Sequence, residues 1–140
     1  MLEPARDRTR PMKILDTDHC VALLRGKLDL SELVPPHDVL ATTAISAGEL
    51  AHGAYKSMRP AENLARVDVL LSTLTVLPYD ELAALRFGAL KAGLESTGQR
   101  LDDMDLQIGA IAIQYGALLM SHNRQHFERV PDLMLGDWLA

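Results

Sequence analysis

Short apolar segments alternate with longer amphipathic segments along almost the whole chain, and this alternation restricts the possible fold strongly. Apolar segments of about four residues are typical of buried strands, and the segments between them mostly keep the 3.6-residue period of helices. Such alternation is typical of β-α-β units with a parallel sheet. We therefore predict an α/β fold with a short, mostly parallel sheet of four to five strands. The predicted strands cover 12–15, 38–43, 75–77, 117–120 and 133–135, the predicted helices cover 19–25, 46–55, 60–74, 80–95 and 102–115, and a polar connection covers 121–131.

The length and the cysteine content indicate a single cytoplasmic domain. The chain has 140 residues, which suits one domain. Its one cysteine, Cys20, excludes an internal disulfide and a cysteine-based zinc site, and its apolar neighbours place it in the core. No apolar run approaches the roughly 20 residues that span a bilayer, and no signal peptide is evident. Residues 1–11 are polar and hold three arginines, so we expect a disordered extension before a domain over 12–140.

Acidic and amide residues lie near the ends of several predicted strands. Asp16 directly follows the first strand, and Asn123 lies three residues beyond the fourth. Glu49 and Asp105 lie in the first turns of two predicted helices. Parallel sheets bind ligands outside the carboxyl ends of their strands, so these residues are expected to converge. Crowded carboxylates repel each other, and Mg²⁺ or Mn²⁺ would relieve that repulsion and activate water for attack on a phosphodiester.

Each of these residues also has a purely structural explanation. Asp16 could cap the following helix, and Asn123 could shape a turn. The sequence SAGE at 46–49 has the spacing of a capping box, which would account for Glu49. The acidic residues at 102–105 could stabilise a helix N-terminus through the macrodipole. The hypothesis of a metal site therefore depends on the joint placement of these residues.

Other kinds of site receive little support from the sequence. Among the histidines, only His122 and His126 are four residues apart, and they lie across a predicted turn, so we expect no zinc site. Glycine-rich nucleotide-binding motifs are missing from the sequence as well.

Four segments together resemble a known family. They are ILDTDH at 14–19, SAGELAHG at 46–53, MDLQIGA at 104–110 and LMSHNRQHFERVP at 119–131. In this order and spacing they resemble PIN-domain ribonucleases, and more narrowly VapC-type toxins of bacterial toxin–antitoxin systems. The resemblance extends from residue 12 to residue 138 and implies a three-layer α/β/α domain.

The resemblance implies a role for each matching position. Asp16, Glu49 and Asp105 would form the acidic triad that binds Mg²⁺ or Mn²⁺, with Glu49 either binding the metal or orienting the water. The fourth catalytic position of the family, often Asp, is Asn123 here, which leaves the number of metal ions open. The residues expected to support this site from nearby are Asp18, Asp102, Asp103 and Ser121.

The implied activity is metal-dependent hydrolysis of structured RNA, such as a tRNA loop, leaving 5′-phosphate and 3′-hydroxyl ends. The resemblance also implies a homodimer and a cognate antitoxin whose C-terminal segment enters the acidic groove. Two alternatives stay open. Asn123 could mark an inactive PIN-fold binding module, or the sequence DTD at 16–18 could belong to a Mg²⁺-dependent phosphatase, although Cys20 stands where that motif has Thr or Val.

The net charge of −5 argues at first sight against an RNA partner, since phosphate contacts need Lys and Arg. However, six of the 19 acidic residues belong to the predicted site region, which leaves 13 against 14 Lys and Arg elsewhere. The negative charge is therefore concentrated where a metal ion would offset it. Those six residues are Asp16, Asp18, Glu49, Asp102, Asp103 and Asp105.

Overall fold

The structure, a computed structural model, describes residues 12–140, so the predicted extension at 1–11 lies outside the described residues. Within them, five strands form one sheet with helices around it, and none of the helices is long and apolar enough to span a membrane. The strands are β1 (Met12–Leu15), β2 (Val39–Thr43), β3 (Thr75–Leu77), β4 (Leu118–Met120) and β5 (Met134–Gly136). The helices are α1 (Thr17–Leu24), α2 (Leu30–Leu33), α3 (Ala44–Lys56), α4 (Pro60–Ser72), α5 (Glu81–Ser96), α6 (Asp103–Tyr115) and α7 (Arg124–Phe127).

The sheet has the strand order β3-β2-β1-β4-β5, and every neighbouring pair is parallel. Strand β1 is central, with Ile14 paired to Ala41 of β2 and to Leu119 of β4. Strands β2 and β3, which come next in the chain, lie on one side of β1, and β4 and β5 lie on the other side. The crevice of such a sheet opens where the order reverses, which here is outside the carboxyl ends of β1 and β4.

Alternation along the strands divides the core into two layers. Ile14 and Leu119 are buried against α5, α6 and α7, whereas Leu15 and Met120 are buried against α1, α3 and α4. Cys20 of α1 is fully buried in the second layer, as predicted. These two layers confirm the predicted α/β/α architecture, and they fix β1 and β4 side by side.

Helix α3 begins earlier than predicted, and the capping-box hypothesis is wrong. Thr43, the last residue of β2, is the N-cap, and its Oγ1 accepts a hydrogen bond from the Ser46 N–H at 3.1 Å. The strand therefore continues into the helix without a loop, and Ser46 lies inside the first turn. Glu49 lies beyond that turn, so its carboxylate is not used for capping.

Two single-turn helices, α2 and α7, are missing from the sequence prediction. Four residues are too few to display a helical period. Helix α7 lies within the predicted polar connection and is anchored by Phe127, which is fully buried in the α6 layer. The last strand lies one residue later than predicted. These differences place Asn123 as the residue before α7 rather than in an open loop.

Candidate active site

Asp16 lies at the carboxyl end of the central strand and is only 6% exposed. Its Oδ1 accepts a hydrogen bond from the Thr17 N–H at 2.8 Å, and its Oδ2 accepts one from the Ser121 hydroxyl at 2.7 Å. Asp16 is also the N-cap of α1. The capping role and the predicted metal-binding role therefore fall on one carboxylate, and capping fixes its orientation at the crevice.

The surroundings of Asp16 oppose its negative charge. Burial raises the pKa of this carboxyl to about 6, although hydrogen bonds from Ser121 and Thr17 act in the opposite direction. The negative charges of Asp18 and Asp105 raise the pKa further. Asp18 and Asp105 are thus close enough to repel the charge of Asp16, and a bound cation would remove that penalty.

Asp105, in the first turn of α6, faces the segment that follows β4. Its Oδ2 lies 3.2 Å from both Asn123 Nδ2 and His126 Nδ1. Burial raises the pKa of Asp105 and the charge of Asp102 adds to this effect, while hydrogen bonds from His126 and Asn123 oppose it. The Asn123 N–H also donates to Ser121 Oγ at 3.0 Å, which links Asp105 to Asp16 through one short segment.

Glu49 reaches the same site from α3 through Thr17. The Thr17 hydroxyl donates to Glu49 Oε1 at 2.8 Å, and the Thr17 N–H donates to Asp16. Sequence reasoning gave Thr17 no role, although its position directly after Asp16 was a usable signal. One hydrogen-bonded series therefore joins all four predicted catalytic residues, in the order Glu49, Thr17, Asp16, Ser121, Asn123 and Asp105.

The oxygen atoms of this series fit a hard divalent cation, since carboxylate and hydroxyl oxygens are the ligands that Mg²⁺ and Mn²⁺ prefer. Among residues 12–140, no three Asp, Glu, His or Cys side chains already stand at ligating distances from one point. The carboxylates are instead occupied by Thr17, Ser121, Asn123 and His126. The oxygen ligands of the series and the repulsion around Asp16 are the features that fit a metal ion.

Two of the four predicted supporting residues contact the site directly. Ser121 is fully buried and joins Asp16 to Asn123. Asp18 accepts the His122 N–H at 2.9 Å through Oδ2. Burial alone would raise the pKa of Asp18, but hydrogen bonds from His19 and His122 outweigh it and lower the pKa. Asp18 therefore stays charged next to Asp16.

The other two supporting residues have structural partners. Asp102 is the N-cap of α6 and accepts the Met104 N–H at 2.8 Å, while Asp103 accepts from Lys91 Nζ at 2.8 Å on the surface. The charge of Asp102 still raises the pKa of Asp105. The structure gives Asp103 no contact with the predicted catalytic residues.

A groove between α1, α3 and α4 adjoins the site. Its volume is about 320 Å³, and its lining includes Thr17 and Glu49 from the site together with Leu50, Arg25 and Arg66. The groove therefore combines an acidic side chain, an apolar wall and two cations. These features suit a mixed polar and apolar peptide segment better than a small neutral ligand.

Residues 13–133 of the chain match the PIN domain family. The chain is 30% identical to ribonuclease VapC2 of Rickettsia felis over 129 residues, covering 89% of this chain and 96% of that protein. It is 31% identical to a tRNA(fMet)-specific endonuclease VapC of Salmonella typhimurium over 134 residues, with the same coverage. The structure superposes on the crystal structure of VapBC2 from Rickettsia felis bound to a promoter DNA fragment with a TM-score of 0.84 and 29% identity, covering 91% of this chain and 98% of that one.

These similarities cover the fold and all four segments singled out in the sequence. They leave the phosphatase alternative without support, since the relatives are nucleases. Nucleases of this kind generally depend on a divalent metal ion. The chain belongs to the PIN domain family and, within it, to the VapC ribonucleases, the toxin enzymes of toxin–antitoxin systems.

Proposed function

We propose that this chain is a Mg²⁺- or Mn²⁺-dependent endoribonuclease whose site is built on Asp16, Glu49, Asp105 and Asn123. The observation that carries the proposal is the Asp16 carboxylate at the reversal point of the sheet, buried and surrounded by negative charge. A protein that keeps such a carboxylate at its crevice loses stability unless a cation binds there. Functional use of the site would explain why the arrangement persists.

Each residue of the site has a distinct task in this proposal. Asp16 and Asp105 would bind the metal, and Glu49 would bind it or orient the attacking water. Ser121 and Thr17 hold the two oxygens of Asp16 in place, and Asn123 donates to Asp105. When bound, the cation supplies charge for the phosphate and lowers the pKa of water. Because Asn123 is neutral, the four positions of the site hold three carboxylates.

The substrate that we propose is structured RNA, and specifically a tRNA loop. Support comes from the Salmonella typhimurium relative, which is named a tRNA(fMet)-specific endonuclease. Aromatic residues make up only 4% of the chain, which does not favour an extended stacking platform for single strands. Recognition would then depend on the shape of the RNA and on phosphate contacts.

The partner that we propose is a cognate antitoxin, acting in the cytoplasm. Relatives from Rickettsia felis and Salmonella typhimurium were crystallised as VapBC complexes. The groove between α1, α3 and α4 offers an apolar wall at Leu50 and the carboxylate of Glu49. An antitoxin segment with apolar side chains and one Lys or Arg would fill the groove and pair with Glu49, competing with the metal for the site.

We also propose a homodimer formed through α5. Leu82 and Leu85 are three residues apart on this helix, and they are 63% and 65% exposed. Residues three apart lie on one face of a helix. Two large apolar side chains left in water on one face are a common mark of a protein interface.

Induction of the chain in cells, followed by mapping of new 5′ ends in total RNA, tests the proposed activity. We expect growth arrest and a small set of cuts with 5′-phosphate ends. The control is Asp105→Asn, which keeps the shape of the side chain and removes its charge. Cuts that persist unchanged in Asp105→Asn would reject the proposed site, and no cuts with wild type would favour the inactive binding module.

A further inference from the structure

His19 is the one fully buried histidine among residues 12–140, and both of its ring nitrogens have partners. Its Nε2 lies 3.0 Å from the backbone N of Trp138, and its Nδ1 lies 2.6 Å from Asp18 Oδ1. Since the Trp138 N–H can only donate, Nε2 accepts, which leaves Nδ1 as the nitrogen that carries a proton toward Asp18. His19 therefore donates to Asp18 and holds the C-terminal segment at the same time.

The C-terminal segment is attached to the loop after β4 at further points. The Gly136 carbonyl accepts the Ser121 N–H at 2.9 Å. Asp137, whose side chain is 1% exposed, contacts His122 Nδ1 at 2.9 Å and accepts the Leu139 N–H at 2.7 Å. The segment is thus a fixed support, against which His19 can hold a neighbouring side chain.

Asp18 is the side chain that His19 holds. One of its oxygens accepts from the His19 ring, and the other accepts from the His122 N–H at 2.9 Å. His122 directly follows Ser121, which donates to Asp16 at 2.7 Å. A displacement of Asp18 would therefore release the start of the loop that aims Ser121 at Asp16.

We propose that His19 is a positioning residue of the active site: through Asp18 it fixes the loop after β4, so that Ser121 holds Asp16 in its metal-binding orientation. This inference rests on the proposed function of the site. It assigns a role to a residue that touches neither the RNA nor the metal. The loss of hydrogen-bonded residues that orient a metal ligand typically reduces metal affinity or activity by about 10–100-fold.

The test compares His19→Phe, His19→Asn and Cys20→Ala in the full-length chain. Phe fills the ring volume but makes neither hydrogen bond. Asn places an amide Nδ2 where the ring Nδ1 stands, so it still donates to Asp18 but does not reach Trp138. Cys20 is equally buried on the same helix, and Cys20→Ala controls for loss of packing.

The affinity for Mn²⁺ alone is measured by titration calorimetry without RNA, and kcat and KM are measured separately with RNA. We expect His19→Phe to weaken Mn²⁺ binding and to lower kcat by about 10–100-fold with KM for RNA unchanged. His19→Asn is expected to restore most of both losses, and Cys20→Ala is expected to match wild type. Equal impairment of the Phe and Asn variants, or wild-type values for the Phe variant, would overturn the proposal.

A double-mutant cycle tests whether His19 acts through Asp18, and Asp18→Ala keeps the proposal testable if His19→Phe does not fold. Asp18→Ala, at a half-buried position, is expected to weaken Mn²⁺ binding about as much as His19→Phe, and the double variant no more than either. If His19→Phe does not fold, Asp18→Ala alone is decisive: wild-type Mn²⁺ affinity in this variant would overturn the proposal, since His19 acts only through Asp18. Because Mn²⁺ binding is measured without RNA, a wild-type chain that binds Mn²⁺ but cuts no RNA would reject the proposed activity alone.

Discussion

At the residue scale, Asp16 combines a structural advantage with an electrostatic cost. Its carboxylate caps α1 and accepts two hydrogen bonds, yet burial and two neighbouring carboxylates raise its pKa. A residue chosen only for stability would cap the helix without a buried charge. Such local conflicts concentrate at functional sites.

The first prediction concerns Asp16→Asn in a metal-chelating buffer. The folded protein keeps the Asp16 proton up to a pH of about 6, whereas the unfolded carboxyl loses it near 3.8. The stability that this group contributes is therefore complete below pH 4 and is lost as the pH rises to about 6, a change of about 3 kcal/mol. We expect Asp16→Asn to be more stable than wild type above pH 7, by up to about 3 kcal/mol.

Urea unfolding at pH 4 and at pH 8 checks this prediction. At pH 4 the two proteins should have much more similar free energies of unfolding than at pH 8, because the folded wild-type carboxyl is then neutral and the unfolded one is only partly ionised. An Asn variant that is less stable than wild type at pH 8 would contradict the electrostatic account of Asp16.

The second prediction concerns Asn123→Asp. The amide of Asn123 donates to Asp105 at 3.2 Å, so a carboxylate there would replace an attraction with a repulsion. Without metal, Tm should fall by about 4 °C for each kcal/mol of repulsion. With saturating Mn²⁺, the variant should gain more in Tm than wild type, because it has one more anionic oxygen to offer.

Thermal unfolding with and without Mn²⁺ measures both effects. The control is Asn63→Asp, which loses an amide hydrogen bond to Ser57 of similar length, 2.8 Å. If Mn²⁺ raises the Tm of Asn123→Asp no more than that of wild type, Asn123 does not stand at the metal site.

At the element scale, the sequence pattern predicted the sheet and the five longer helices, which are α1, α3, α4, α5 and α6, but it did not predict the single-turn helices in the connections. The four predicted catalytic residues could be found from the sequence because each follows an apolar strand or lies near the start of a strongly periodic helix. The capping role of Thr43 was missed because the same residue ends the apolar pattern of β2, so it was assigned to the strand alone. The roles of His19 and His126 depend on contacts with Trp138 and Asp105, more than 20 residues away in sequence, which local patterns do not reveal.

The third prediction separates the two possible caps of α3. The capping box predicts that Ser46→Ala is costly, whereas the structure places the cap at Thr43. Ser46 Oγ is buried and has no hydrogen-bond partner among the described residues. We expect Thr43→Ala to cost about 1 kcal/mol of stability and Ser46→Ala to be nearly neutral.

Urea unfolding of both variants checks this prediction, and each serves as the control of the other. The reverse order of the two losses would restore the capping box. Since α3 carries Glu49, Thr43→Ala is also expected to lower RNA cleavage, while Ser46→Ala should leave it unchanged.

At the scale of the whole molecule, the negatively charged region and the exposed apolar region lie in different places. Negative charge is concentrated at the crevice outside β1 and β4, and exposed leucines lie on α5 in the opposite layer from α1, α3 and α4. The proposed antitoxin groove and the proposed dimer face therefore lie on different layers. A dimer and an antitoxin complex can form together in this arrangement.

The fourth prediction concerns the α5 face. Leu82→Asp together with Leu85→Asp should convert a dimer into a monomer, because both side chains are more than 60% exposed in the single chain. Light scattering coupled to size exclusion measures the mass. The far-ultraviolet circular dichroism should be unchanged, since neither side chain is in the core. A wild-type monomer, or a double variant that stays dimeric, would contradict the proposed face.

The central claim is that Asp16 makes this chain a metal-dependent ribonuclease, and cleavage of purified tRNA under single-turnover conditions tests it most directly. Wild type and Asp16→Asn are compared across a titration of Mg²⁺ or Mn²⁺, after unfolding has shown that both are folded. We expect wild type to cut only with metal and the more stable Asn variant to lose cleavage at every metal concentration. Cleavage by wild type in chelator, or cleavage by Asp16→Asn at the wild-type rate, would contradict the central claim.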